Sequence, residues 1–143
     1  MIFVKTNAKN ETFGKLCEKY QNMSQLEDTK PCANVTDMQD VVLLYYHNQA
    51  MGCGSYKYWD ENTAEFDYIY LDKSVRNRTT IQLLLFRLED NAKHAGYQYA
   101  VYTLSKFMQN GIDLFKELGY TIIPNYGYYT NVPNAVCLKK KLI

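Results

Sequence analysis

With 143 residues, a formal charge of +1, 47% hydrophobic and 22% charged residues, the chain is sized and composed as one globular domain with a real core. That excludes two ordinary domains, a disordered chain and a protein steered to nucleic acid by net charge. Tyrosine is over-represented, with 14 residues against six Phe and one Trp.

In chain order, Ile2-Phe3-Val4 is a short strand candidate. The N-terminus carries no basic, apolar, cleavable leader, which predicts a cytoplasmic protein. Phe13, Leu16, Cys17, Tyr20 and Met23 then recur at helical spacing, with Asn10 placed to cap that helix. Ser24 to Asp40 is polar, contains Pro31 and reads as a loop or short helix. Val41 to His47 is a buried strand, and its apolar run to Tyr46 is far short of the ~20 residues of a membrane span, so no membrane partner is expected. His47-Asn48-Gln49 turns the chain into a strand over Ala50 to Trp59, and Asp60-Glu61-Asn62 closes the hairpin onto Ala64 to Leu71. Strict alternation would set Phe66, Tyr68 and Tyr70 on one face of that strand and Glu65, Asp67, Ile69 and Leu71 on the other.

From Thr79 the period changes to that of a helix through Ile81, Leu84, Leu85, Leu88, Ala92 and Ala95, with Gly96 as its stop. Thr79 and Gln82 have capping-box spacing, which predicts the start near Thr79. Tyr97 to Leu104 is β-prone, Met108 to Leu118 is a further helix ending at Gly119, and Thr121-Ile-Ile and Ala135 to Leu142 are the last strands. The strands at 64–71 and 97–104, joined by a crossover helix, should be parallel. Cys17, Cys32, Cys53 and Cys137 form no C-x-x-C pair, and neither His47 nor His94 is adjacent to one in sequence. They read as reduced thiols, and no metal site is expected.

Chemistry is expected where a strand ends and a helix begins, because unpaired amides and the positive dipole end collect there. In this chain that place is Asp72 to Thr80, carrying Lys73, Arg76 and Arg78. An anion such as a pyrophosphate suits it, and so does a plain basic surface turn.

Several separate pieces in order carry a resemblance: Val41-Val-Leu-Leu-Tyr-Tyr, Met51-Gly-Cys-Gly, Glu65, Arg76, Leu114-Phe-Lys-Glu-Leu-Gly-Tyr120, Ile123-Pro-Asn-Tyr-Gly127 and Val136-Cys-Leu. From Val41 onward the chain resembles the GNAT superfamily of acetyl-CoA-dependent N-acetyltransferases, particularly its small bacterial members. The resemblance implies one α/β domain over 1–143, a mixed twisted sheet of six to seven strands with helices on both faces, splayed between the strands at 64–71 and 97–104. It implies acetyl-CoA as co-substrate, held along Ile69, Tyr70 and Leu71, by Arg76, Asn77, Arg78, Thr79, Thr80 and Ile81, and by Asn110. Glu65 becomes the candidate base that takes a proton from a primary amine, with Asp67 as a substitute. Tyr126, Tyr128 and Tyr129 fall in the connection that walls the acceptor pocket in relatives, where any of them would line the substrate site or supply a proton donor, although hairpin packing is the plainer account of them.

Three departures from the family pattern accompany these matches. Thr79 and Ile81 stand where the phosphate loop has glycine, or glycine and alanine. Either Ile81 obstructs the phosphate, or it joins the buried stripe of the helix. Met108 replaces a polar residue, and Phe115 replaces the tyrosine that returns a proton to the thiolate. Two functions therefore follow: transfer of acetyl to a small-molecule or other amino-group acceptor, or a GNAT-fold binding module that has lost catalysis.

Overall fold

The structure, a computed structural model, describes residues 1–23 and 34–143. Most of the polar stretch, from Ser24 to Ala33, and Cys32 with it, lies outside the described residues. Seven strands form one sheet: β1 (Ile2–Thr6), β2 (Asp40–Tyr46), β3 (Gln49–Asp60), β4 (Thr63–Leu71), β5 (Tyr99–Ser105), β6 (Thr121–Ile123) and β7 (Ala135–Lys141). Their spatial order is β1-β2-β3-β4-β5-β7-β6. Helix α1 (Glu11–Met23) covers one face, and α2 (Arg78–His94) and α3 (Gln109–Glu117) cover the other. This is the expected α/β architecture, with helices on both faces. No helix among the described residues is long and apolar enough to cross a membrane.

Local chemistry accounts for the elements. Asn10 caps α1 by accepting from the Phe13 amide at 3.0 Å, and Phe13, Leu16 and Cys17 bury its apolar stripe against Val41, Leu43 and Cys53. His47 and Asn48 both take positive φ, the requirement of a tight two-residue hairpin turn. On the opposite face, Leu84, Leu85, Leu88 and Ala92 of α2 pack with Ile112 and Phe115 of α3 over Val42, Tyr56, Phe66 and Leu138. Gly96 ends α2 at φ +99, a left-handed position that suits glycine.

Two expectations are corrected. The start of α2 at Arg78 falls within a residue of Thr79, as the spacing predicts, but its cap is Asn77, whose side chain accepts from the Thr80 amide at 2.9 Å, and not Thr79. Alternation along β4 also fails, because the pairing shifts by one residue between Ser55↔Asp67 and Cys53↔Tyr70. Tyr68, at φ +50, lies in this bulge. Beyond it the faces exchange: Phe66 packs beneath α2 together with Ile69 and Leu71, whereas Tyr68 and Tyr70 pack beneath α1. A bulge costs one residue of register and reverses every side chain after it.

The parallel pairing of β4 and β5 is limited to Thr63–Glu65 with Tyr99–Val101. Past Glu65 the two strands separate, so β4 from Phe66 to Leu71 has no β5 partner. Strand β7 runs antiparallel to β5 along its whole length and carries the short β6 on its other side. A buried polar cluster ties α2 to this half of the sheet. Glu89 accepts from the Tyr120 hydroxyl at 2.7 Å and from the Lys140 ammonium at 2.9 Å.

Candidate active site

The opening between β4 and β5 has two sides. At one end of it, β4 runs into the turn that begins α2. The Arg76 guanidinium folds back onto the Leu71 carbonyl, with Nε at 3.1 Å and Nη2 at 2.8 Å. Arg78 pairs with Glu117 of α3. The Asn77 carbonyl and side chain occupy the Ile81 and Thr80 amides, while the amides of Arg78 and Thr79 belong to the first turn and have no intrahelical acceptor. Arg76 and Lys73, both exposed, precede these amides in the chain.

Ile81 is half-buried and packs against the α2 core. Its side chain therefore belongs to the stripe of the helix, and the bulk feared at the phosphate position is directed into packing. Ile69 and Leu71 pack against the same core, and Tyr70 is buried on the α1 side. Asn110 is exposed in the first turn of α3. The pairing with Arg78 joins the α2 start to the far end of α3, seven residues and about 10 Å along the helix axis from Asn110. Met108 sits exposed at the N-cap of α3 without a side-chain capping bond. Phe115 is buried, stacked on Tyr102 with ring centroids 5.0 Å apart and meeting Tyr120 edge-on. Phe115 is a core residue, continuous with the apolar layer under α3.

The other side is built around Glu65, the last residue of β4 paired with β5. Its carboxylate is buried and both oxygens are engaged. The Tyr126 hydroxyl donates to Oε2 at 2.7 Å, and the Lys57 ammonium lies 3.4 Å from Oε1. Burial first, and then the neighbouring Glu65 charge, push the Tyr126 hydroxyl far above its ordinary pKa, so it remains a proton donor throughout the neutral range. Trp59 packs on the Tyr126 ring at 4.7 Å and lies over Gly127, where a Cβ would come within 2.5 Å of its Cη2. Gly127 also has φ +54, so the close approach and the backbone both require glycine.

The structure thus brings Tyr126 to Glu65. Tyr128 is exposed, with its ring edge against Tyr129. Asp67, on the Glu65 face, turns back on its own strand and accepts from the Tyr68 amide at 2.7 Å. Cys17, Cys53 and Cys137 are free and buried.

Lys57 and Trp59 are site residues that sequence reasoning did not single out. A regular hairpin closing at Asp60↔Thr63 would set Tyr58 opposite Glu65. A second register shift, between Tyr58 and Asp60, puts Lys57 there instead. Only a strand-pairing argument that allowed this bulge would have found the lysine.

The sequence profile of the acetyltransferase (GNAT) family matches residues 8–120. The chain belongs to this family. Among solved structures, it is similar over 99% of its length, and 97% of the other chain, to a candidate acyl-CoA N-acyltransferase from Klebsiella pneumoniae subsp. pneumoniae MGH 78578, with TM-score 0.80 and 18% identity. A GNAT family acetyltransferase from Elizabethkingia anophelis with acetyl-CoA bound gives TM-score 0.75 and 18% identity over 98% of this chain and 97% of its own. Aminoglycoside 6'-acetyltransferase type Ii gives 0.72 and 14% over 100% and 98%. No curated protein is significantly similar in sequence. At these identities the solved structures establish the fold alone.

Proposed function

We propose that this GNAT chain transfers the acetyl group of acetyl-CoA to a primary amine by direct attack in a ternary complex, with Glu65 as the base. One observation carries the reading: a buried carboxylate stands where β4 parts from β5, between an aromatic wall and the open strand. An amine attacks only when unprotonated, so a carboxylate within reach of its ammonium supplies the needed proton acceptor. Tyr126 orients the carboxylate through Oε2, leaving Oε1 towards Lys57 and any incoming ammonium. Trp59 and Tyr126 together favour an alkylammonium through their ring faces.

Phe115 does not obstruct this chemistry. A thiol has an ordinary pKa of about 8.5, so CoA departs as a thiolate at neutral pH without a dedicated acid. Arg76, Lys73 and the first-turn amides of α2 are the groups that would hold the pyrophosphate. The cytoplasm, where acetyl-CoA is made and consumed, is the setting this reading implies, and the acceptor is a small molecule or another amino group.

Calorimetry with acetyl-CoA tests the first half, and no heat at millimolar ligand would sink the proposal. Release of free thiol across a panel of primary amines tests the second. Glu65→Gln should lower turnover by about 10² to 10⁴-fold while leaving acetyl-CoA affinity in place. Binding with no turnover of any amine would favour the non-catalytic module.

A further inference from the structure

We infer that Lys57 is itself an acceptor, acetylated on Nζ by its own active site. This rests on the reading of Glu65 as the base. Lys57 and Glu65 stand directly opposite each other on β3 and β4, and Nζ lies 3.4 Å from Oε1, with side chains only 26% and 10% exposed. Covered to this degree, the ammonium is held at the carboxylate. An attacking amine must come within hydrogen-bonding reach of its base, about 2.6 to 3.2 Å and looser before substrate binds. Lys57 already meets that condition without any acceptor being supplied.

The other described lysine pairs use carboxylates outside β4. Lys5 pairs with Asp40, Lys15 with Glu11, Lys93 with Asp90 and Lys140 with Glu89. Among the described ion pairs, only that of Lys57 involves the carboxylate where β4 leaves β5.

The step balances without an added reagent. Glu65 takes one proton from the Lys57 ammonium, and the freed lone pair attacks the thioester carbonyl. The C–N bond forms, the C–S bond breaks, and the second amine proton goes to the departing thiolate as CoA. Glu65 then loses its proton to solvent. The product is a neutral amide that no longer pairs with Oε1, so the modification removes the cation from the base.

The test is intact-mass measurement of the full chain incubated with acetyl-CoA, followed by peptide mapping. One acetyl group should appear, on Lys57, at a rate independent of protein concentration. It should be absent in Lys57→Arg, which preserves the charge, and slowed at least about 10²-fold in Glu65→Gln. Acetyl groups spread over exposed lysines, at equal rates in folded and urea-unfolded chain, would overturn the inference, as would a rate that rises with protein concentration. If acetyl-CoA binds by calorimetry and Lys57 stays unmodified, the inference fails and the function proposed above stands. If acetyl-CoA does not bind, both fail.

Discussion

Glu89→Ala should be among the most destabilising single substitutions in the molecule. Glu89 is buried on α2, and it is the acceptor for the hydroxyl of Tyr120, a residue 2% exposed. Removing the carboxylate strands that hydroxyl, at a cost of about 1–3 kcal/mol for an unsatisfied buried donor. It also strands the Lys140 ammonium, whose side chain is 21% exposed and so regains part of its hydration. The lower half of the usual range for a broken buried pair, about 3–4 kcal/mol in total, is therefore expected. Against a domain stability of about 5–15 kcal/mol this is a large fraction. Urea unfolding followed by circular dichroism reads it directly. With a slope of about 1–3 kcal/mol per molar, the midpoint should fall by roughly 1–4 M. The triple variant Glu89→Leu, Tyr120→Phe, Lys140→Met replaces all three polar groups by apolar ones of similar size, and its midpoint should lie near that of the parent. A single variant that shifts the midpoint by less than about 0.3 M would refute the reasoning. So would a triple variant as unstable as the single one.

Three further outcomes are expected. Ile81→Gly should cost about 2–4 kcal/mol through lost packing and helix propensity without tightening acetyl-CoA binding; a clear gain in affinity by calorimetry would show that the side chain does face the phosphate. Gly127→Ala forces a left-handed alanine, worth about 1–2 kcal/mol, and drives Trp59 off Tyr126. Amine KM should rise with acetyl-CoA affinity unchanged, and an unaltered KM would mean that Trp59 does not wall the acceptor. Tyr56, Tyr120 and Tyr126 each have a pKa raised above the ordinary value, by burial first and then by a bonded carboxylate. Above pH 10 the unfolded chain loses these protons and the folded one keeps them, so their stabilisation is complete below about pH 10 and is lost as pH rises beyond it. Urea midpoints should fall steadily in that range, and Tyr56→Phe should flatten the fall; an identical slope in the variant would argue against the assignment.

Much of the architecture was legible because it rests on periodic burial. The stripes of α1 and α2, the β2–β3 turn at His47-Asn48, the parallel β4–β5 relation and the helix stop at Gly96 all follow from spacing and turn chemistry. What escaped was irregularity. The bulge at Tyr68 puts a bulky residue at positive φ, which no propensity favours, and it reverses the faces of Ile69, Tyr70 and Leu71. The shift near Trp59 moves Lys57 opposite Glu65. The cap of α2 illustrates competition between two good local candidates: Asn77 and Thr79 both suit an N-cap, and Asn77 wins, with Thr80 buried behind it. For the site, Glu65 and Tyr126 could be named from motif order, yet their hydrogen bond spans 61 residues of sequence and depends on the path of a connection that carries no periodic signal. The tyrosine surplus resolves in the same way, since Tyr56, Tyr120 and Tyr126 each end on a carboxylate.

The place of β7 in the sheet bears on how the molecule assembles. It is last in chain order but interior in space, between β5 and β6. Until it docks, β6 has no partner, and β5 offers an open edge along its full length, the kind of edge that recruits other chains. Tyr126 lies on the connection between β6 and β7, so the Glu65 site is completed by a long-range pairing of the kind that forms slowly. Refolding should then recover helical signal before it recovers the Tyr126–Glu65 contact, and crowding during that interval would favour self-association over a finished site.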